Sequence, residues 1–484
     1  MKLQRAHGFA LAVALVWIVA YLPFAPVRLY DFRAFYCAGT AIRAHADPYR
    51  LHPLQDCERS TTVPGMPANK DGATVPAPLP AYVLAGFALL SCLPFGPAVA
   101  LWLAASLAAL LGSIVLLRQV VAVPVPAIAV AIVLPAAVVA LPLGQTAPLV
   151  GCAIALCAYG LSSGRPRIAA LGALATAADP AIALVLCATM FVAVPATRAV
   201  LLAGTAALIG LALLTLGADT NLEYVRTVLH LHAAGNVAER SQFSTTHFAW
   251  VIGLASRPAL VAGNIWYGCA AVAGICTALR LRRTLGIAAL ALVPPAFAVF
   301  GGLYVHYSGL VLAIPAYLLM VGRMPKARPL SAAIFVLAVP WLALAGFPPF
   351  AFALVVLAIA YMREMHGARS GLKLGLASAG LLVVLFAVAA LTATATAPGP
   401  FVALAGANPL AEDAWSRYIA WRDVGPNRLF LVLQLPTIVA FTACLAGLAW
   451  LAAGAEKPPW PLPARRPKLG RGLNPVVESP MDSV

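Results

Sequence analysis

The sequence predicts an all-α protein built as a polytopic bundle of transmembrane helices. Three observations support this: 62% of the 484 residues are hydrophobic, only 10% are charged, and the mean hydropathy is +0.92. A soluble domain carries roughly 25% charged residues, so lipid rather than water must surround most of this chain. No polar stretch is long enough to form a separate globular domain.

The apolar segments define the predicted spans. The first one ends near Ala25, and Tyr21–Phe24 lacks the small-residue cleavage site of a signal peptide, so we expect a retained helix. Later segments fall near 78–94, 97–117, 123–142, 147–161, 167–178, 180–194, 198–216, 259–278, 284–301, 307–321, 328–344, 347–361, 374–395 and 428–453. We predict one integral membrane domain over residues 1–454, with about 12 to 14 spans, and a disordered cytoplasmic tail over 455–484.

The distribution of charge predicts which loops face outward. The net charge is +16, but no basic stretch has the Gly-rich or aromatic-interleaved pattern typical of nucleic-acid binding. If the short basic loops and the tail are cytoplasmic, they hold 20 of the 32 Lys and Arg but only four of the 16 Asp and Glu. This bias follows the positive-inside rule. It places residues 26–76, 217–258 and 397–427 outside an inner or plasma membrane.

This sidedness predicts an irregular segment early in the chain. Residues 26–76 are outside and Arg118 is inside, so an odd number of crossings separates them, yet the two apolar segments 78–94 and 97–117 lie between. Prolines break 78–94, so we expect it to be re-entrant or interfacial. Irregular backbone at that depth is tolerated only against protein or a water-filled cavity, so the segment is expected to line a cavity beneath the first outer loop.

Cysteine and histidine usage leaves two questions open. Cys37 and Cys57 share the first outer loop and form a disulfide if that loop faces an oxidising compartment; otherwise they stay reduced. No Cys/His spacing indicates zinc. A loose group in the second outer loop fits no standard metal site, and we predict neither a metal nor another cofactor: His230, His232, Glu239 and His247.

An amphipathic helix is predicted directly after the first span. Phe32, Phe35, Tyr36, Gly39 and Ile42 recur at helical spacing, and Asp31 stands at the start of this helix. Two roles remain open for Asp31. It caps the helix by accepting hydrogen bonds from the first backbone amides, or it is a carboxylate at the membrane boundary that accepts a proton from an attacking hydroxyl.

The stretch 31–49, DFRAFYCAGTAIRAHADPY, resembles the signature that follows the first transmembrane helix in glycosyltransferase family 87, of the GT-C superfamily. Further pieces resemble family motifs in the same order over about residues 8–330: Pro78-Leu79-Pro80, Gly144-Gln145-Thr146, Ser241-Gln242-Phe243-Ser244 and Tyr304-Val305-His306-Tyr307. One position departs from the pattern. Many members carry Lys-Pro where this chain has Asp179-Pro180, which puts contact with a donor phosphate at that position in doubt.

The resemblance implies a GT-C-like fold and a membrane glycosyltransferase. Members move a mannose-like hexose or a pentose from a polyprenyl-monophosphate donor to a glycan or glycolipid hydroxyl outside the membrane. Direct displacement would invert the anomeric centre. Asp31 is the candidate base and His306 its candidate partner, unless His306 is an ordinary interfacial histidine. The expected substrate-binding residues are Arg33, Tyr36, Arg43, Tyr49, Gln145, Ser244 and Tyr307, although Arg33 and Arg43 equally fit ordinary interfacial bases.

Two other functions fit a bundle this apolar. A transporter or flippase of lipid-linked intermediates is the main alternative, and a non-enzymatic assembly protein is the third. A transporter would place its polar groups near mid-membrane and expose them to both sides in turn. A transferase would gather Asp31, Gln145 and His306 around one outer cavity. Asp179, an acid within an apolar stretch, is either functional or a helix cap exposed to water.

Overall fold

The computed structural model describes residues 29–61, 74–239, 242–339, 348–392, 410–422 and 428–454. These residues form helices joined by short turns, and no strand occurs among them apart from an isolated antiparallel bridge between Arg50 and Leu410. The predicted all-α class is confirmed for this part of the chain. The predicted first span and the predicted tail lie outside the described residues.

The α-helices are α1 Tyr30–Arg43, α2 Leu51–Ser60, α3 Ala81–Leu90, α4 Phe95–Val120, α5 Val125–Pro135, α6 Leu141–Leu143, α7 Ala147–Ser162, α8 Pro166–Ala175, α9 Pro180–Ala193, α10 Arg198–Glu223, α11 Leu229–Asn236, α12 Thr245–Val251, α13 Ser256–Leu281, α14 Ala289–Gly301, α15 Tyr307–Leu310, α16 Ile314–Arg323, α17 Ser331–Ala338, α18 Pro348–His366, α19 Ala368–Thr392, α20 Ala411–Arg422 and α21 Arg428–Ala453. Short 3₁₀ turns span Thr176–Ala178, Pro195–Thr197, Val311–Ala313 and Pro325–Leu330, and π turns span Ala136–Ala140 and Tyr224–Val228.

Five helical stretches among the described residues are long and apolar enough to cross a membrane: Phe95–Val120, Val125–Leu143, Pro195–Asn236, Ser256–Leu281 and Gln434–Ala453. The predicted count of 12 to 14 spans is not confirmed. Other apolar helices are shorter because Pro and Gly interrupt the hydrophobic runs. One long stretch is itself bent, since Gly217 adopts a left-handed conformation with φ of 71° and redirects the chain before Glu223.

The segment predicted to be irregular forms a short helix. Helix α3 has 10 residues and is therefore about 15 Å long, half the thickness of the hydrocarbon core. It packs directly against α1: a Cβ added at Gly39 of α1 would clash with the backbone of Phe87 in α3. This close approach requires glycine. The structure therefore agrees with the expectation that 78–94 is no full-length span and lies against the first outer helix.

Two apolar cores position the functional residues. The larger core is formed by α5, α7, α14 and α16, and many of its side chains are fully buried. The second core surrounds α1 and is rich in aromatic residues. There the Phe32 ring lies 5.8 Å from the Phe95 ring and 5.7 Å from the Trp102 ring. Helix α1 is thus embedded in protein rather than lying loosely on the surface.

A disulfide between Cys37 and Cys57 joins α1 to α2, with 5.6 Å between the two Cα atoms. The pairing that the sequence left open is therefore formed. Cys37 is fully buried, so the covalent link lies on the inner side of the first outer loop. The aromatic core and the disulfide together fix both faces of α1.

Candidate functional site

Asp31 lies in the first turn of α1, and its position is determined by the backbone before it. Leu29 takes a left-handed conformation with φ of 41°, its amide donates to the carbonyl of Pro142, and its own carbonyl accepts from the amide of Arg33. The N-cap residue of this helix is Leu29, two positions before Asp31, and it makes no side-chain capping hydrogen bond. The capping role considered for Asp31 is therefore absent from this structure. The carboxylate is directed to another partner.

That partner is Gln145, whose side-chain amide donates to the Asp31 carboxylate. Gln145 follows a glycine turn in which Gly144 has φ of 75°, and the Gln145 amide donates to the carbonyl of Ala140 at 2.9 Å. A Cβ at Gly144 would clash with Phe32. The turn thus needs glycine for its conformation and for its contact with α1. The structure brings Asp31 and Gln145 together across 114 residues.

Burial and nearby charges make Asp31 an unusual carboxyl group. Loss of hydration raises its pKa from 3.8 to about 7, the hydrogen bond from Gln145 lowers it, the negative charge of Glu239 raises it, and the positive form of His232 lowers it. A carboxyl group that titrates near neutral pH can accept a proton efficiently. Such perturbed acids are concentrated at functional sites.

His306 belongs to a second polar group that lies close to the first. Its Nε2 atom is 3.1 Å from the side-chain nitrogen of Gln242 and 3.8 Å from a carboxylate oxygen of Glu239. The side-chain oxygen of Gln242 accepts a hydrogen bond from the backbone amide of Val305 at 2.6 Å, and Gln242 is fully buried. Gln242 therefore ties the second outer loop to the segment that carries His306. About one third of the His306 side chain is exposed, so an incoming ligand can reach it.

A third polar group joins the second and third predicted outer loops. His232 Nδ1 lies 3.0 Å from a carboxylate oxygen of Glu412, which is the second residue of α20. Asn236 places its side-chain nitrogen 3.1 Å from His232 Nε2 and also donates to the His232 carbonyl. The His232 and Tyr304 rings are nearly perpendicular, with 4.7 Å between their centroids. His232 is thus contacted at both ring nitrogens and by one aromatic ring.

Residues from all three predicted outer loops therefore form one polar cluster. Asp31 comes from the first loop, His232 and Glu239 come from the second, and Glu412 comes from the third. His306 joins them from the turn between α14 and α15 through Glu239. Glu239 and His232 lie close enough to Asp31 for their charges to shift its pKa, Glu239 upward and His232 downward.

Several predicted site residues contact the protein itself. The hydroxyl of Tyr36 donates to the carbonyl of Leu93, and that of Tyr307 donates to Leu337 at 2.5 Å. Ser244 is the N-cap of α12, and its Oγ accepts from the amide of His247 at 3.2 Å. Any direct contact of these three residues with a substrate stays a prediction.

The two predicted arginines contact other parts of the protein. Arg33 is fully buried beside Tyr30, with its guanidinium 5.5 Å from that ring, and none of its nitrogens has a hydrogen-bond partner among the described residues. The negative charge of Glu58 acts on it. Arg43 lies 12 residues along the helix from Asp31, which is roughly 18 Å, and donates to the carbonyl of Ser91. The structure does not bring these bases together around one phosphate.

Tyr49 closes the motif in the first loop and links it to the other two loops. Its hydroxyl donates to Leu79 at 2.9 Å, its ring stacks on Tyr224 at 5.3 Å, and its carbonyl accepts from the amide of Ala411 at 3.0 Å. The adjacent Arg50 makes two hydrogen bonds to Glu223, at 3.0 and 3.1 Å. The Asp-Pro-Tyr-Arg turn thus joins all three predicted outer loops.

Asp179 caps a helix, as one of its two interpretations expects. Its Oδ1 atom accepts from the amides of Ala181 and Ile182, at the tip of the α8–α9 hairpin. The hydroxyls of Tyr82 and Tyr267 donate to the carbonyls of Ala177 and Ala181, on either side of the tip. The capping contacts leave a functional role for Asp179 untested.

Sequence analysis missed the acids that complete the cluster. Glu239 was considered only in a loose metal group, and Glu412 was not considered at all. Among the described residues no group of three metal-ligating side chains could hold a metal ion. The imidazole nitrogens contact protein instead: His232 contacts Glu412, and His247 Nδ1 lies 2.8 Å from the carbonyl of Val237. A useful signal was available, since acids are rare in this chain and both missed residues fall in predicted outer loops.

Comparison with known families identifies part of this chain. The sequence model of glycosyltransferase family 87 matches residues 78–293, which is somewhat less than half of the 484 residues. The match covers Gln145, His232, Glu239 and Gln242 but ends before His306 and Glu412. No curated protein and no solved structure matched the chain. The match is to the same family that the sequence motifs resemble, over residues 78–293.

Proposed function

Since the match to glycosyltransferase family 87 indicates a membrane glycosyltransferase, we propose that this protein moves a mannose-like hexose or a pentose from a polyprenyl-monophosphate donor to a glycan or glycolipid hydroxyl. The reaction would take place on the extracytoplasmic side of the inner or plasma membrane. The observation that carries the proposal is the polar cluster around Asp31, whose members come mainly from the three predicted outer loops, which hold 11 of the 16 Asp and Glu.

Asp31 is the proposed catalytic base. It accepts the proton of the acceptor hydroxyl as that oxygen attacks the anomeric carbon of the donor sugar. The bond between the anomeric carbon and the phosphate oxygen breaks, and its electron pair leaves with the phosphate. A carboxyl group with a pKa of about 7 suits this role, because about half of it is ionised at neutral pH and it binds a proton readily. One displacement inverts the anomeric centre.

His306 and Gln145 are the proposed partners of this base. Gln145 orients the Asp31 carboxylate by donating one hydrogen bond, and its carbonyl oxygen can accept from a substrate hydroxyl. His306 is held by Gln242 and Glu239 while part of its ring stays exposed, which suits a hydrogen bond to the leaving phosphate.

The remaining predicted residues are proposed to support the site. The hydroxyls of Tyr36, Tyr49 and Tyr307 donate to backbone carbonyls, Ser244 caps a helix, and Arg43 bonds to the turn before α4. Arg33 is buried beside Tyr30 and near the charge of Glu58, and any contact of its guanidinium with a phosphate stays a prediction.

A transport function is less consistent with this arrangement. A transporter needs polar groups near mid-membrane that become exposed to each side in turn. The cluster around Asp31 instead combines three loops with the ends of helices, and aromatic side chains with a disulfide fix the helix that carries Asp31.

The test is transfer of radiolabelled sugar from polyprenyl-phosphate donors to membrane extracts by purified protein. We expect transfer by the wild-type protein, none above background by Asp31→Asn, and an inverted anomeric configuration in the product. Absence of transfer from every polyprenyl-phosphate donor, together with movement of intact lipid-linked sugar between vesicle leaflets, would favour the flippase instead.

A further inference from the structure

The side-chain amide of Gln242 fits its surroundings in one orientation only. Its oxygen accepts a hydrogen bond from the backbone amide of Val305 at 2.6 Å. A backbone amide can only donate, so the side-chain atom that faces it must be the oxygen and the other must be the nitrogen. Turning the amide over would place two N–H donors against each other. Gln242 is fully buried, where an unmatched donor is costly.

Contacts of the backbone hold this amide at a fixed distance from His306. The Gln434 side chain donates to the backbone carbonyl of Gln242 at 2.9 Å, and the amide of Phe243 donates to the carbonyl of Val305 at 2.8 Å. The second predicted outer loop is thus paired with the residue that directly precedes His306. The Gln242 amide and the His306 ring therefore keep their positions relative to each other.

The nitrogen of this amide determines which nitrogen of His306 carries the proton. It lies 3.1 Å from His306 Nε2. An amide nitrogen can only donate, so Nε2 must accept with its lone pair and carries no proton in this contact. The Glu239 carboxylate would favour a proton on Nε2, but it lies 3.8 Å away, beyond hydrogen-bond distance. The shorter contact decides, and the ring proton is on Nδ1.

The same arrangement occurs at His232, where two independent contacts agree. The side-chain nitrogen of Asn236 donates to the His232 carbonyl at 2.8 Å and lies 3.1 Å from His232 Nε2. The Glu412 carboxylate, which can only accept when it is ionised, lies 3.0 Å from His232 Nδ1. Both contacts place a proton on Nδ1 and make Nε2 the acceptor. An amide nitrogen beside Nε2 thus indicates the same tautomer at two histidines of the cluster.

We infer that Gln242 is a positioning residue that keeps His306 neutral with its proton on Nδ1, so that His306 acts as a hydrogen-bond donor and not as a base. This inference rests on the proposed transferase function for its purpose. When the bond between the anomeric carbon and the phosphate oxygen breaks, that oxygen gains the electron pair and accepts from Nδ1–H, while the proton stays on the ring. Gln242 occupies the basic nitrogen Nε2, which leaves Asp31 as the base for the acceptor hydroxyl.

The tautomer of His306 can be measured without any reaction. Protein labelled with ¹⁵N only in its eight histidines gives nitrogen chemical shifts that distinguish Nδ1–H from Nε2–H. The variant His306→Gln identifies the His306 signals by their loss. We expect wild-type His306 to be neutral, with its proton on Nδ1, at neutral and mildly alkaline pH. A proton on Nε2, in either the Nε2–H tautomer or the imidazolium, would overturn the inference.

The variant Gln242→Met tests whether the amide sets this tautomer. Methionine keeps the length of the side chain but cannot donate to Nε2, so we expect at least half of His306 to carry a proton on Nε2. Gln434→Leu is the matched control, because it removes a hydrogen bond from the same loop and leaves the Gln242 side chain in place. Thermal stability should fall in both variants, but the His306 signals should change only in Gln242→Met. Unchanged His306 signals in Gln242→Met would show a merely structural contact.

A double-mutant cycle measures the effect on sugar transfer. Gln242→Met should lower kcat roughly fivefold or more and leave the KM for the donor within about twofold, because the hydrogen bond acts on charge that develops during transfer. In a His306→Ala background the same substitution should lower kcat less than about twofold, because Gln242 acts through that histidine. Losses that multiply in the double variant would refute this. A wild-type protein with the proton on Nδ1 of His306 but without sugar transfer would refute only the proposed function.

Discussion

Replacing Asp31 by Asn should change catalysis and stability in opposite directions. The change is nearly isosteric, and the Asn carbonyl oxygen can still accept the hydrogen bond from Gln145. The variant lacks a proton acceptor, so we expect sugar transfer to fall by a factor of about 10² to 10⁴. The same substitution removes a charge that is costly to bury, and the folded protein should therefore become more stable.

The size of that gain follows from the pKa of Asp31. A rise from 3.8 to about 7 means that the folded protein retains a proton that the unfolded chain releases. Wild-type stability therefore falls as pH rises from about 4 to about 7 and is constant above that range. At 1.36 kcal/mol per pKa unit, the full effect on the free energy of unfolding is roughly 4 kcal/mol. Solvent screening of a half-buried side chain reduces this effect to about 2 kcal/mol.

The assay combines activity with thermal unfolding of detergent-solubilised protein between pH 4 and pH 8. Wild type and Asp31→Asn should unfold at similar temperatures at pH 4. The variant should then unfold at progressively higher temperature than wild type up to about pH 7. Near-wild-type transfer by a well-folded Asp31→Asn protein would end the assignment of the base. A stability difference independent of pH would refute the charge argument.

Four further predictions use the same structure. The transfer rate of wild type should rise with pH and reach half its maximum near pH 7, because Asp31 must be ionised to accept a proton; a flat pH–rate profile would contradict this. Gln145→Ala removes a hydrogen bond that lowers the pKa of Asp31, so its pH–rate profile should move to higher pH; an unmoved midpoint would show that Gln145 does not tune the base. His306→Ala should lower kcat roughly tenfold to a hundredfold in single-turnover assays if it bonds the leaving phosphate, and an unchanged kcat would remove it from the site. Cys37→Ser/Cys57→Ser opens a 20-residue loop and should destabilise the protein by about 3 kcal/mol in thermal unfolding, with the exposed Cys92→Ser as a control that should change nothing.

Local patterns in the sequence predicted the first outer helix and the short helix beneath it. Helical spacing of aromatic residues placed α1 after the first apolar run, and prolines together with charge parity indicated that 78–94 is no full span. These features depend on neighbouring residues and on which side of the membrane a loop must lie. Contacts between distant segments were predicted only in part. Gln145 was placed in the same site as Asp31 because of the family resemblance, not because of any periodicity in the sequence.

The acids of the second and third loops were missed for a physical reason. Glu412 forms its ion pair with a histidine 180 residues earlier, and no local pattern encodes such a pairing. Tyr49 shows that a motif residue can also have a role in assembly. Its place in a recognisable motif suggested contact with a substrate, but the contacts that the structure shows join three loops. A motif can mark a residue that assembles a site as readily as one that reacts.

The distances along the chain within this cluster have a consequence for biogenesis. Asp31 and Gln145 are separated by 114 residues, and His232 and Glu412 by 180. A chain is synthesised from its N-terminus at roughly 5–20 residues per second, so Asp31 is made well before Glu412. A nascent chain therefore carries the first residue of the cluster long before it carries the last. If one intervening helix failed to insert, the loops that follow would fall on the opposite side of the membrane. Correct topology of every helix between them is thus a condition for the residues of this cluster to meet.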